Sequence, residues 1–320
     1  MSDRPLVLIP GRIHPRVRDR LSDRFDLLEI ADATAADVDA DRLERVRGAA
    51  VSGRFPASLI ERLPKLEVIG SFGVGYDGVD VKAAAAAGVV VTNTPDVLND
   101  EVADTAIALL LNTMRQLYFA ERYLREGRWE KEGAFPLSPL SLKGRKIGLH
   151  GLGRIGMEIA NRLLPFKVEL AYHTRRPRTD VDFAYHDTLV GLAEAVDVLI
   201  SIVPSTPETN GAINADVLAA LGPNGVLINV GRGSTVDEPA LISALQAGTI
   251  AAAGLDVFAD EPRVPQALID LPNVSLLPHV ASASVPTRDA MADLVVDNIV
   301  SWFDTGRPLT PVPETPLPKS

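Results

Sequence analysis

The sequence predicts an α/β protein made of two doubly wound parallel sheets. Three observations carry that prediction. Short apolar runs alternate with helical stretches across residues 6–94 and again across 146–280, the rhythm of parallel strands covered by helices on both faces. A glycine-rich turn at 151–156 joins a strand to a helix. The length of 320 residues suits about two domains and is enough to bury a full core.

Composition narrows the function. The chain is 46% hydrophobic and 23% charged, as ordinary soluble proteins are. It has no cysteine, which excludes disulfides, thiolate metal sites and a cysteine nucleophile, and fits a reducing, cytoplasmic setting. No metal site is expected. A net charge of -10 argues against a nucleic-acid partner, since a phosphate backbone calls for a basic face. No apolar run approaches the ~18 residues of a membrane span. The run at 6–9 is too short for a secretory signal.

In the first half, strands are expected at 6–9, 27–30, 49–52, 68–72 and 89–92, with helices at 56–63 and 81–87. The loop from Ser71 to Gly78 follows a strand and carries Gly73, Gly75 and Gly78. Such a loop is either a plain turn or a cradle of backbone N–H groups for an anion. Residues 93–100 read as a junction. Asp100 is placed to cap a helix from Glu101 to about Arg125. The apolar centre of that helix, Ala106 to Leu111, implies burial on several sides, in part by a second subunit. The stretch 129–142, with Trp129, Phe135 and Leu137, reads as an irregular arm that packs on a partner chain.

In the second half, strands are expected at 147–150, 168–173, 198–203, 226–230, 252–257 and 274–277. A last helix, about 287–302, crosses back to the first domain. The proline-rich tail 307–320 should be extended.

The turn after the first of these strands has Gly151, Gly153 and Gly156 at the spacing G-x-G-x-x-G. The first glycine permits the sharp turn, the second lets backbone approach a pyrophosphate, and the third lets the helix pack on the strand. Ile155, Ile159 and Leu163 recur four apart on that helix, as a buried face requires. Its N-terminus offers free N–H groups to phosphates. The glycine spacing alone is weak evidence. The strand before it, the helix after it and the next strand make it a dinucleotide site.

Ligands on such sheets sit beyond the carboxyl ends of the strands. After the second strand come His173, Thr174, Arg175 and Arg176, with no carboxylate between Glu169 and Asp180. An NAD site would place an acidic residue here; an arginine pair suits the 2′-phosphate of NADP. The turn from Val203 and Pro204 to Thr209 follows the third strand and borders the adenosine half. Arg232, Glu261 and His279 fall just beyond three successive strands. Each alone reads as structural. Together they suit reduction of a charged carbonyl compound. The arginine grips a carboxylate and polarises the carbonyl, and the histidine delivers a proton as hydride reaches carbon. A carboxylate beside a histidine favours its charged form.

With these motifs in hand, the chain resembles the D-isomer-specific 2-hydroxyacid dehydrogenase family from about residue 45 to 303. The match runs through Gly73 to Asp77, Asn93 to Pro95, the glycine loop, Asn229 to Gly233, Val236 to Glu238, Gly254 to Phe258, Glu261–Pro262 and Pro278–His279. The similar branch is that of the glyoxylate/hydroxypyruvate reductases, with plant hydroxyphenylpyruvate reductases close behind.

The resemblance implies two Rossmann-like domains with the active-site cleft between them. A discontinuous substrate domain would take residues 1–98 and 288–320, and a dinucleotide domain 99–287. It implies Arg232, Glu261 and His279 as the catalytic set. Val74 and Gly75 would bind the substrate carboxylate through their N–H groups, with Arg232 and Ser282 beside it. Leu152, Gly153, Arg154 and Ile155 would hold the pyrophosphate, Thr174, Arg175 and Arg176 the 2′-phosphate, and Val230 and Asp256 would lie near the nicotinamide. It also implies a homodimer through the dinucleotide domain. Arg54 and Phe55 fall where the family contacts substrate side groups, and Phe135 could reach a neighbouring subunit's site.

The reading is an NADPH-dependent reductase of small 2-oxo acids, with NADH as the weaker alternative cofactor. One competing reading is a reductase of bulkier 2-oxo acids, of the hydroxyphenylpyruvate or 2-ketogluconate type. Another is a dinucleotide-sensing binding protein, against which the full Arg/Glu/His set and the acidic charge weigh.

Overall fold

The computed structural model describes residues 4–35, 39–315 and 317. The chain divides into two compact units, Met1–Leu98 with Ser284–Ser320, and Asn99–Ala283.

The first unit carries five strands: β1 Leu6–Pro10, β2 Asp26–Ile30, β3 Val46–Val51, β4 Val68–Ser71 and β5 Val90–Thr92. They pair in parallel in the order β2-β1-β3-β4-β5. Alternation along β1 shows both faces covered. Leu6 and Leu8 enter one core with Val51, Phe55 and Ile69, while Val7 and Ile9 enter another with Ala292, Val295 and Ile299.

The last three belong to the long helix Val285–Thr305. Ser284 caps it by accepting from the Thr287 N–H, Pro286 sits in its first turn, and Gly306 ends it in the left-handed conformation.

Several expectations for this unit need correction. The helix expected at 56–63 spans only Ala57–Ile60. Phe55 is buried in the core rather than displayed on the loop, while Arg54 stays exposed. The tail packs on the first unit. Pro311 pairs with Thr92, Val312 is buried, and the Thr315 hydroxyl accepts from the Val91 N–H at 3.1 Å. The end of the expected extended tail, residues 316 and 318–320, lies outside the described residues.

The second unit has seven strands where six were expected: β6 Lys146–His150, β7 Glu169–His173, β8 Ala184–Tyr185, β9 Val198–Ser201, β10 Val226–Asn229, β11 Ala252–Leu255 and β12 Val274–Leu276. All pair in parallel, in the order β12-β11-β10-β9-β6-β7-β8. The extra strand, β8, is two residues long and has no periodicity to read. The order reverses between β6 and β9, and the glycine loop leaves β6 at that switch point, where such sheets take ligands.

The expected helix from Glu101 to Arg125 is two. Asn99–Arg115 packs on β10, β11 and β12, and Leu117–Arg125 follows a break at Gln116, whose φ is 53°. The break lets the first helix stay on the sheet while the second leaves it. Asp100 lies inside the first turn rather than capping it, and pairs with Arg162 at 2.7 Å. The arm is not wholly irregular, because Arg128–Glu132 is helical. Among the described residues no helix is long and apolar enough to cross a membrane.

Candidate active site

The glycine loop shows why each glycine is needed. Gly151 has φ +101°, a conformation that strains any side chain. A Cβ on Gly156 would lie 2.5 Å from the Gly151 carbonyl oxygen, so only glycine lets the helix Arg154–Leu163 start this close to β6. Gly153 faces open space, with no atom within 4 Å of where its Cβ would stand. That opening, at the N-terminus of a ten-residue helix, fits a pyrophosphate. Leu152 is buried, Ile155 half-buried, and Gly153 and Arg154 exposed.

Beyond β7, Arg175 and Arg176 are exposed on a tight turn. The Thr174 hydroxyl closes that turn on the Arg176 carbonyl at 2.6 Å, and the Tyr185 hydroxyl donates to the Thr174 carbonyl at 3.3 Å. His173 Nδ1 donates to the His186 carbonyl at 2.9 Å. The nearest downstream carboxylate, Asp180, is already engaged by Arg178. Sequence reading missed Arg178, whose guanidinium also donates to the Leu152 carbonyl. Its only local signal was an arginine two residues before an aspartate.

At the end of β6, paired with His173, His150 is buried, with its ring 5.8 Å from that of His173. Burial, then the field of His173, push its pKa down to about 4.

The turn after β9 is stapled by Thr209, whose hydroxyl donates to the Pro204 carbonyl at 2.7 Å and accepts from the Thr206 N–H at 2.8 Å. Val203 lies against the glycine loop, 2.9 Å from where a Gly151 Cβ would stand.

Arg232, Glu261 and His279 lie beyond β10, β11 and β12, which are adjacent in the sheet. A chain of contacts joins them. Gly233 packs on the Phe258 backbone so tightly that a Cβ would fall 1.9 Å from its carbonyl carbon. The Phe258 N–H donates to Glu261 Oε1 at 3.0 Å, and Glu261 Oε2 lies 2.7 Å from His279 Nδ1. A carboxylate only accepts, so Nδ1 carries its proton and the imidazole is oriented with Nε2 turned away from Glu261. Arg232 is half-buried. Its backbone carbonyl accepts from the Asn229 amide at 2.9 Å and the Thr235 hydroxyl at 2.7 Å. Beside the pair, Phe258, Pro262, Val264, Leu276 and Leu277 help line an apolar pocket of about 330 Å³.

Asp256 supplies a clamp that sequence reading did not foresee. It is fully buried, and its carboxylate accepts from the Val280 N–H at 2.7 Å and the Ala281 N–H at 3.0 Å. Its carbonyl accepts from the His279 N–H at 2.8 Å. His279 has φ 53°, a left-handed conformation costing about 1–3 kcal/mol for a residue with a side chain. Three bonds from one residue hold it there. Burial pushes the Asp256 pKa up, and the two amides oppose that shift. Val230 is buried and Ser282 half-buried.

In the first unit, the loop after β4 has its carbonyls taken. The Thr94 N–H donates to the Gly73 carbonyl at 2.9 Å and the Asn93 amide to the Val74 carbonyl at 2.8 Å. In a trans peptide the C=O and N–H point opposite ways. Asn93 and Thr94 therefore aim the Val74 and Gly75 N–H groups away from themselves, as an anion cradle requires.

Fold and site define a dinucleotide-dependent class of α/β protein with a carboxylate-oriented histidine. Known proteins agree. Residues 107–281 match the model of the D-isomer specific 2-hydroxyacid dehydrogenase, NAD binding domain. A hydroxyphenylpyruvate reductase from Plectranthus scutellarioides is 49% identical over 80% of this chain and 81% of its own. A glyoxylate/hydroxypyruvate reductase A from Arabidopsis thaliana is 43% identical over 92% of this chain and 95% of its own. The crystal structure of an NADPH-dependent glyoxylate/hydroxypyruvate reductase from Sinorhizobium meliloti, with NADP and malonate, is 65% identical. It covers 99% of both chains with a TM-score of 0.97. The chain belongs to the D-isomer-specific 2-hydroxyacid dehydrogenase family.

Proposed function

We propose that this protein is an NADPH-dependent reductase of small 2-oxo acids, glyoxylate and hydroxypyruvate, that yields the D-2-hydroxy acid. The observation that carries the reading is the His279–Glu261 pair at 2.7 Å, clamped by Asp256 on the strand next to the one that delivers Arg232. Bound NADPH supplies the hydride that reaches the carbonyl carbon. His279 Nε2 gives the proton to the carbonyl oxygen, and Glu261 stabilises the imidazolium before it does so. Arg232 grips the carboxylate and polarises the carbonyl, with Ser282 at the pocket edge. In the first unit, the Val74 and Gly75 amides are donors suited to a carboxylate.

The second unit takes the cofactor. Gly151 to Gly156 hold the pyrophosphate, Arg175 and Arg176 the 2′-phosphate, and Val230 and Asp256 flank the nicotinamide. His173, Val203, Pro204 and Thr209 border the adenosine. The first unit, with residues 1–98, takes substrate. A dimer through the second unit is supported by its exposed apolar side chains: Leu117, Tyr118, Leu124, Trp129 and Leu137 are 49–95% exposed. Phe135 packs on Tyr123 of its own chain, so Trp129 and Leu137 are the better candidates to meet a partner. A cytoplasmic setting is compatible with the cysteine-free sequence.

The test is the catalytic efficiency with glyoxylate, hydroxypyruvate and phenylpyruvate, each with NADPH and NADH. NADPH preference with the two small acids is the expected result. A preference for phenylpyruvate keeps the mechanism and moves the substrate to the bulkier class named for the Plectranthus relative. Cofactor binding without turnover of any 2-oxo acid sinks the enzyme reading.

A further inference from the structure

We propose that Arg178 is a positioning residue that holds the two phosphate-binding loops of the cofactor site as one piece. The inference rests on the cofactor site proposed above and adds the device that sets its geometry.

Arg178 is fixed at both ends. Its backbone N–H donates to the Tyr172 hydroxyl at 2.8 Å, and that tyrosine is fully buried on β7. Its guanidinium uses Nη1 for the Leu152 carbonyl, 26 residues away in the glycine loop. It uses Nε for Asp180 Oδ1 at 2.9 Å and Nη2 for Asp180 Oδ2. The planar fork gives two N–H groups to the carboxylate and a third to the carbonyl in one fixed geometry, which a lysine's compact ammonium does not reproduce.

The Leu152 carbonyl belongs to the same peptide as the Gly153 N–H, and in a trans peptide the two point opposite ways. Gripping the carbonyl therefore turns the Gly153 N–H away from Arg178 and leaves it available to a pyrophosphate. The same residue ends the turn that displays Arg175 and Arg176. One side chain thus ties the spacing of the pyrophosphate loop to that of the 2′-phosphate loop.

A 2′-phosphate ligand and a bridge differ in what they discriminate. NADPH and NADH share the pyrophosphate and differ in the 2′-phosphate. Replacing Arg178 with Gln should weaken binding of both cofactors by a similar factor, about tenfold for one lost charge-assisted contact. The kcat at saturating cofactor should hold within about twofold. The double variant R175A/R176A, measured alongside by nucleotide fluorescence, should weaken NADPH alone.

Unchanged affinities for both cofactors in R178Q would overturn the bridge. So would loss confined to NADPH, which would make Arg178 a 2′-phosphate ligand. If R178Q weakens both cofactors and R175A/R176A weakens neither, the bridge stands and the 2′-phosphate assignment fails. Should R178Q unfold, Tyr172→Phe keeps the ring and removes only the hydroxyl that pins the Arg178 backbone. It should weaken both cofactors by roughly threefold, and wild-type affinities in that variant would overturn the proposal.

Discussion

Beyond β10, β11 and β12 the functional groups are held by backbone hydrogen bonds and by one buried carboxylate. Asp256 takes three N–H groups of the His279 loop, Glu261 takes one from Phe258, and Gly233 packs on the Phe258 backbone. Beyond β7 the arginines stand exposed, and a side chain, Arg178, ties their turn to the glycine loop. The difference follows from the two tasks. Proton transfer needs a donor fixed to a fraction of an ångström, which several backbone bonds of fixed direction provide. A phosphate dianion can be recognised by charges that reach it through water, and such charges need no burial.

The largest effect should come from His279→Ala. Turnover should fall about 10²–10⁴-fold, the usual worth of a positioned general acid, while NADPH affinity stays within about twofold. Steady-state rates and nucleotide fluorescence on one sample check this. The separation of chemistry from cofactor binding would break if affinity fell as far as turnover did.

At the other end, R175A/R176A should lower the NADPH-to-NADH ratio of efficiencies by about 10–100-fold, the loss of one or two charge-assisted contacts. Because both side chains are exposed, raising salt should shrink the wild-type preference as well. A ratio that did not move with mutation or salt would remove this turn from phosphate binding and leave the contrast without its second half.

The same contrast explains what could be read in the sequence. The glycine loop was legible because three glycines at fixed spacing follow a strand, and because each does a local job: Gly151 turns, Gly156 packs on Gly151. Arg232, Glu261 and His279 were legible because each comes just after a strand in a fold whose ligands gather at strand ends. What stayed hidden depends on contacts far apart in the chain. The Asp256 clamp acts on residues 24 and 25 positions away, and Arg178 on one 26 positions away. Neither leaves a period or a spacing. Phe55 sat in a loop by its neighbours and proved to be core. The break at Gln116, a left-handed residue, has no proline or glycine to announce it.

The smallest effect on catalysis, and the one that best sharpens the contrast, concerns the buried group at the cofactor end. His150 lies at the end of β6 with its pKa down at about 4, against about 6.5 in an unfolded chain. Between those values the folded state binds fewer protons than the unfolded one. The contribution is therefore fully present above about pH 6.5 and is lost as pH falls towards 4, with about 2 kcal/mol gone by pH 5. His150→Leu removes that term. Thermal unfolding of the cofactor unit should then lose less Tm between pH 7.5 and pH 5 than the wild type does. The NADPH-to-NADH ratio should stay within about twofold, because His150 is buried at the end of β6 rather than part of the phosphate turn. An unchanged pH dependence of Tm would show that His150 is not the group being titrated. A changed cofactor ratio would show that packing beside β7 shapes phosphate recognition, and that exposed charge alone does not account for this end of the site.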